Sequence, residues 1–212
     1  MELYQSIQQY GTIPIPHHVM LWILKDYLQP NDKIKNLVKE GLLMPVRRGL
    51  YITGERLQQP KPDPFLIAHH IYGPSYVSLD SALSFYSLIP EKVYTVTSVT
   101  TKMSRKFSTR LGVFTYTRLP LPYYSFGIQS NEITRQQRFL IASPQKALFD
   151  KIITTAGVEL RSKKATLAYL EDDLRIDMQM LKSLDFTLAE QWVSNAPKKA
   201  TLHMLLQTLK QL

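Results

Sequence analysis

The stretch PNDKIKNLVKEGLLMPVRRGLYIT, residues 30–53, decides the fold. Ile34, Leu37 and Val38 recur at i, i+3 and i+4, the spacing that lines one face of an α-helix with apolar side chains. Lys33, Lys35, Asn36, Lys39 and Glu40 are left on the outer side. Asn31 is the expected N-cap, and Asp32 suits the positive end of the helix dipole. Gly41 fits the left-handed position that stops a helix. Leu42–Val46 and Leu50–Thr53 then predict two short strands, with Arg47-Arg48-Gly49 at the bend. A Lys-studded helix followed by a basic-tipped hairpin is the element order of a winged helix-turn-helix. In that arrangement the helix enters a DNA groove and the turn meets the phosphates beside it.

Upstream, Leu3, Ile7 and Tyr10 fall at core-facing spacing in a short helix over 2–10, ended by Gly11. Pro14 and Pro16 delay the next helix, which starts near Pro16. Val19, Trp22, Ile23, Leu24 and Tyr27 give it apolar residues nearly all round, the expectation for the most buried helix of a three-helix unit. Residues 54–64, GERLQQPKPDP, carry three alternate prolines and read as a semi-rigid linker. The predicted organisation is a winged helix-turn-helix over 1–58, a Pro-rich linker over 59–64 and a second domain over 65–212.

The second domain opens with a helix over Phe65–Tyr72. Ser78 then reads as the N-cap of a helix from Leu79 to Leu88, closed by Pro90. VYTVTSVT, residues 93–100, and VFTYT, residues 113–117, are the clearest strands, being almost wholly β-branched or aromatic. Weaker strands are expected over 123–128 and 138–142. Ser143-Pro144 starts a helix, and the pattern is helical from Ser162 onward, with breaks near 173–177, 184–187 and Pro197. The predicted class is α+β: the N-terminal winged unit, then a small antiparallel sheet with a helical C-terminal part.

The chain has 212 residues, is 44% hydrophobic and contains no cysteine. It is therefore composed like a folded protein, and thiolate chemistry, disulfides and Cys-ligated zinc are excluded. No run of 18 apolar residues marks a membrane span, and the N-terminus lacks the regions of a signal peptide, so a cytoplasmic protein is expected. The net charge of +9 favours a polyanionic partner. Between Lys92 and Asn131 there is no acid, and Lys102, Arg105, Lys106 and Arg110 cluster between the two clear strands, where an exposed loop is expected. That cluster reads as a second DNA-backbone contact, as an RNA or protein contact, or as a solvated tip that discourages edge aggregation.

Enzymatic and metal signals are weak. The pairs His17-His18 and His69-His70 are adjacent, and neighbours on a helix diverge by about 100°, so neither pair readily shares an ion. No Gly-rich phosphate loop or nucleophile elbow is present. Ser78, Asp80 and Ser81 are explained as a cap and first-turn residues. Glu171-Asp172-Asp173 reads as a solvated helix end. Neither an enzymatic activity, a cofactor, a metal nor a small-molecule substrate is expected.

Several segments together resemble the AbiEi family of antitoxin-type transcriptional regulators from bacterial abortive-infection (type IV toxin-antitoxin) systems. They are LVKEGLLMPVRRGLYIT (37–53), YVSLDSALSFYSLIPE (76–91), VTSVTTKMSRKFSTRLGVFTY (96–116) and IASPQKALFDKI (141–152), so the resemblance covers roughly positions 35–155. It implies an N-terminal winged helix that binds inverted repeats in double-stranded DNA of its own promoter. It also implies a second domain that neutralises a nucleotidyltransferase toxin encoded next door, without requiring a stable complex. By position, Lys33, Lys35, Asn36 and Lys39 match the recognition helix, Arg47 and Arg48 the wing, and Lys102 to Arg110 a basic part of the second domain. The chain lacks the paired catalytic aspartates of the toxin. The alternative expectation is a protein-interaction module of a phage-defence system whose winged helix docks a protein.

Overall fold

The structure is a computed structural model that describes residues 2–134 and 137–212; Met1, Arg135 and Gln136 lie outside the described residues. The chain forms two compact units. One comprises Met1–Gly73 with Ser108–Gly112 and Asn131–Phe139; the other comprises Pro74–Phe107, Val113–Ser130 and Leu140–Leu212.

The first unit begins with α1 (Glu2–Gln8), β1 (Ile15–Pro16), α2 (His17–Ile23), α3 (Pro30–Lys39), β2 (Leu43–Arg47) and β3 (Leu50–Thr53). Ile7, Ile15, Met20, Leu24, Ile34, Leu37, Leu42, Leu43 and Leu57 form its core. Each comes from a different turn or strand, so burial of this set closes the helices onto the hairpin. β1 and β2 both pair antiparallel with β3, giving the order β1-β3-β2. The brief Ile15–Pro16 strand has no sequence signature beyond Pro16, whose missing N–H is tolerated at a sheet edge. A 3₁₀ turn at Glu55–Leu57 brings Leu57 into the same core, and residues 59–63 carry no helix or strand.

Two local expectations are corrected. α3 starts two residues earlier than expected from sequence: Pro30 occupies the first helical position, Gln29 is the cap residue, and Asn31 lies inside the first turn with its side chain exposed. Proline at that position loses no helix hydrogen bond, which is why it displaces Asn31 from the cap. α2 is not buried all round. Met20 and Leu24 are buried, whereas Trp22 is 68% exposed and Tyr27 and Leu28 also face solvent. Trp22 stands two residues from Met20 and from Leu24, on the opposite side of the helix, and that side remains uncovered.

The end of α3 follows its sequence. Gly41 has φ +72, Gly41 N–H donates to Val38 O at 3.1 Å, and Leu42 N–H donates to Leu37 O at 2.9 Å. This is the Schellman pairing that satisfies the last carbonyls of a helix. It turns the chain straight into β2. Gly49, with φ +80, makes the hairpin turn after Arg48. The first unit also contains α4 (Pro64–Ile71), capped by Asp63, which accepts from Phe65 N–H at 2.7 Å.

The remaining strands are β4 (Ser75–Val77), β5 (Val96–Thr100), β6 (Arg105–Thr109), β7 (Gly112–Arg118), β8 (Ile128–Thr134) and β9 (Gln137–Ala142), with α5 (Leu79–Phe85) between β4 and β5. They form one six-stranded sheet in the order β6-β7-β5-β4-β9-β8. The small antiparallel sheet expected from sequence is a mixed one: β4 runs antiparallel to β5, but β5 with β7 and β4 with β9 are parallel. Parallel neighbours need crossovers; β6 supplies one by going to the outer edge before β7 returns beside β5. The weak strand expected over 123–128 is instead a 3₁₀ turn at Tyr123–Ser125, and β8 starts at Ile128.

The C-terminal part is helical: α6 (Pro144–Thr154), α7 (Lys163–Ala168) running into a π turn at Tyr169–Asp173, α8 (Met178–Lys182), α9 (Thr187–Val193) and α10 (Lys199–Leu209). Ser143 caps α6 by accepting from Lys146 N–H at 3.2 Å. Its other end is closed by Lys198, whose Nζ donates to the carbonyls of Ile152 (3.0 Å) and Thr155 (2.6 Å). A cation there satisfies carbonyls that the helix leaves unpaired and matches the negative end of its dipole.

Candidate nucleic-acid interface

α3 presents its polar face as the sequence predicts. Ile34 and Leu37 are buried, while Lys35, Asn36 and Lys39 are exposed and Lys33 is half-buried. The four are not equivalent. Lys35 Nζ is held 2.8 Å from Asp32 Oδ1, and that hydrogen bond and charge raise its pKa above the ordinary value. Lys33 Nζ lies 5.6 Å from the centre of the Tyr27 ring, a cation–π distance. Asn36 and Lys39 are exposed side chains of the following turns. Arg47 and Arg48 are both exposed at the end of β2 and the turn.

A groove of about 690 Å³ runs between α3 and this turn. Asn31, Ile34 and Lys35 line it from α3, Arg48, Gly49 and Tyr51 from the hairpin, and His17 from the start of α2. His17 N–H donates to Gly49 O at 2.9 Å, which ties α2 to the turn. Its imidazole lies 6.2 Å from the Tyr51 ring, and its Nδ1 is buried without a hydrogen-bond partner. The structure thus brings Lys35 and Arg48 to one groove and adds His17, Asn31 and Tyr51, which sequence reasoning did not select. In the sequence Pro16 marks the helix start and His17 stands only beside His18; nothing local ties either residue to the hairpin.

Lys102, Arg105, Lys106 and Arg110 are all exposed. The expected loop is corrected in part: Arg105 and Lys106 lie on β6, an edge strand of the six-stranded sheet, with Lys102 before it and Arg110 in the turn to β7. An edge strand has one neighbour and needs no apolar alternation, so RKFST gave no strand signal. By compact unit, Lys102, Arg105 and Lys106 belong to the second, and Arg110 to the first along with α3 and its hairpin.

The densest chemical cluster was not selected at all. Asp150, on α6, accepts from Tyr76 (2.9 Å) and Ser78 (2.7 Å) through Oδ2 and from Tyr123 (3.0 Å) and Lys146 (2.6 Å) through Oδ1. Ser78 is therefore not a side-chain cap for α5, as expected from sequence; its hydroxyl turns inward to the carboxylate. Ser81 bridges to β5 instead, donating to Thr95 O and accepting from Thr97 N–H. Asp80 pairs with Lys151 at 2.7 Å. Lys146 Nζ also sits 3.6 Å from the centre of the Tyr123 ring. Desolvation pushes Lys146 below its ordinary pKa against the pull of Asp150. Burial first, and then Asp150, pushes Tyr76 and Tyr123 well above theirs. Lys146, Asp150 and Ser78 are 0% exposed and both carboxylate oxygens are fully engaged, so the cluster binds α6 to the sheet and offers no surface to a ligand.

Among the described residues, no three His, Asp or Glu side chains are placed to hold a metal ion, and no helix is long and apolar enough to cross a membrane. No family model matches the chain, and no curated protein matches it. Among solved structures it is similar to the RV2827C protein from Mycobacterium tuberculosis, with a TM-score of 0.60 and 13% identity over 98% of this chain and 76% of that one. At that identity the likeness is one of fold, and the two proteins share a mixed α+β architecture of a sheet and several helices.

Proposed function

We propose that this chain is a DNA-binding autorepressor and antitoxin of the AbiEi type. In this reading the first unit is a winged helix-turn-helix, α3 is its recognition helix and the β2–β3 hairpin its wing. One observation carries it: a single Schellman turn at Gly41 joins a helix exposing Lys35, Asn36 and Lys39 to a hairpin tipped by Arg47 and Arg48. Cationic side chains placed in that way suit a phosphate line, and Asn36 suits bidentate contact with adenine in the major groove. The second unit neutralises a nucleotidyltransferase toxin, and the exposed basic residues Lys102, Arg105 and Lys106 are candidates for a further backbone contact.

The test is titration of the full chain against its own upstream DNA and against random duplex at one fixed salt concentration. Tighter binding to the upstream DNA supports the autorepressor; equal affinity for both sinks it. Co-expression with the product of the neighbouring gene tests the antitoxin half: rescue of growth supports it, and undiminished toxicity removes it.

A second reading has its own observation. Trp22 is 68% exposed, with Tyr27 and Leu28 also facing solvent on the same unit. Exposed aromatic patches commonly mark protein contacts. A stable complex with a protein partner, together with no shift of any DNA, favours this docking module over the repressor.

A further inference from the structure

The groove between α3 and the β2–β3 turn is walled by Ile34 and Tyr51 and rimmed by Asn31, Lys35 and Arg48. Its donors are an amide, an ammonium and a guanidinium, and no carboxylate lines it. Asp32, the acid in the first turn of α3, is already engaged by Lys35. Gly49 closes one side with left-handed backbone and no side chain. Nδ1 of His17 adds a buried polar atom that no group of the protein satisfies, the kind of atom that calls for an explanation.

A cationic rim around apolar walls matches one chemical object in particular. A deoxyribose has an apolar face and carries an anionic phosphodiester on either side. We propose that this groove seats one deoxyribose of a DNA strand, with Lys35 and Arg48 on its two flanking phosphates, Asn31 donating to the nearer one, and Ile34 and Tyr51 packed on the sugar. The proposal rests on the DNA-binding reading of the first unit and extends it. It assigns Asn31, His17 and Tyr51 to the interface and makes the groove an anchor that sets the register of α3 on the duplex. Backbone contacts fix orientation without reading sequence. Asn36 then faces base edges because the groove has placed it.

The test titrates ¹⁵N-labelled full chain with a 12-base-pair DNA duplex and follows backbone amides and the imidazole nitrogens. The amides of His17, Asn31, Gly49 and Tyr51 are expected to shift together with those of Lys35 and Arg48, and the His17 imidazole signals to move. Asn31→Ala and Arg48→Ala are each expected to weaken binding about 3- to 10-fold, and Arg48→Ala also to lower the salt slope by about one. DNA binding that leaves the groove signals unmoved overturns the groove while the DNA-binding reading stands. Absence of any DNA binding removes both. A poly-glutamate peptide that shifts the same signals at equal affinity overturns the deoxyribose assignment, because the site then recognises charge on a protein instead. Circular dichroism of the two variants excludes loss of fold as the cause of weakened binding.

Discussion

Lys146 Nζ stands 2.6 Å from Asp150 Oδ1, one turn along α6, with both side chains at 0% exposure. An ion pair at that depth is not in itself strongly stabilising, since desolvation of both charges offsets most of the attraction. Removing one partner is another matter. Asp150→Ala leaves a buried ammonium and orphans the hydroxyls of Tyr76, Ser78 and Tyr123. The expected loss is about 3–5 kcal/mol, the cost of breaking such a pair from one side. Lys146→Met leaves Asp150 with three hydroxyl donors and fills similar volume, so its loss is expected to be less than half as large. Urea unfolding of the two variants checks the order; an equal or reversed loss removes Asp150 as the hub of the network.

The same cluster predicts an alkaline weakness. Tyr76 and Tyr123 are raised well above the ordinary value of 10, and burial raises Tyr124 to about 12. A folded pKa above the unfolded one means the folded state holds its proton longer. Stability from these groups is therefore complete below pH 10 and is lost as pH rises from 10 toward 12 and beyond. Lys146, lowered from 10.5 by burial, acts in the opposite sense, but it is one group against three. The urea midpoint is expected to fall as pH rises from 10 toward 12, with a slope that Tyr76→Phe reduces. An unchanged slope in that variant rules out Tyr76 as a source of the pH dependence.

Two glycines on either side of the hairpin differ in what a methyl group meets. At Gly41 the left-handed φ of +72 is the sole obstacle, because a Cβ would find only Arg56 Cβ at 3.9 Å. Gly41→Ala is expected to cost about 1 kcal/mol, the conformational penalty alone. At Gly54 a Cβ would lie 2.0 Å from the Gly41 carbonyl oxygen, and its N–H donates to Leu42 O at 2.8 Å. Backbone cannot swing away as a side chain does, so Gly54→Ala is expected to cost about 3 kcal/mol, the upper range of overpacking. Thermal melts of both variants give the comparison. A Gly54→Ala protein as stable as Gly41→Ala means that the junction is looser than its geometry.

These cases mark where the sequence was legible. Residues 30–53 could be read because every signal in them is local: the i, i+3, i+4 stripe, the Gly41 stop, the basic turn. α6 was equally legible from Ser143-Pro144. What escaped was set by distant partners. Nothing adjacent to Lys146 or Asp150 reveals that Tyr76, Ser78 and Tyr123 surround the carboxylate across as many as 74 positions. β6 was missed because an edge strand is paired on one side and tolerates Arg105 and Lys106. Trp22 was placed inside because helical spacing reports apolarity, not which neighbours are available to cover it. In the candidate site, the exposed residues of α3 were legible by period, but the groove was not, since His17 and Tyr51 reach it from other elements.

The pairing of Lys35 with Asp32 leads to a last prediction, which rests on the DNA-binding reading. Asp32 lies in the first turn of α3, where the helix dipole favours an acid, and it holds Lys35 at 2.8 Å. The same carboxylate opposes phosphate at the groove beside it. Asp32→Asn keeps the side chain's shape, frees Lys35 and removes a negative charge from the interface. Random duplex is expected to bind about 3- to 10-fold tighter to this variant at 100 mM salt, the size of one added phosphate contact. Lys39→Ala, at the other end of the helix, is expected to weaken binding to all sequences and to lower the salt slope by about one. Fluorescence anisotropy across a salt series measures both. If Asp32→Asn binds no tighter while Lys39→Ala binds more weakly, DNA lies along the end of α3 and not over its first turn.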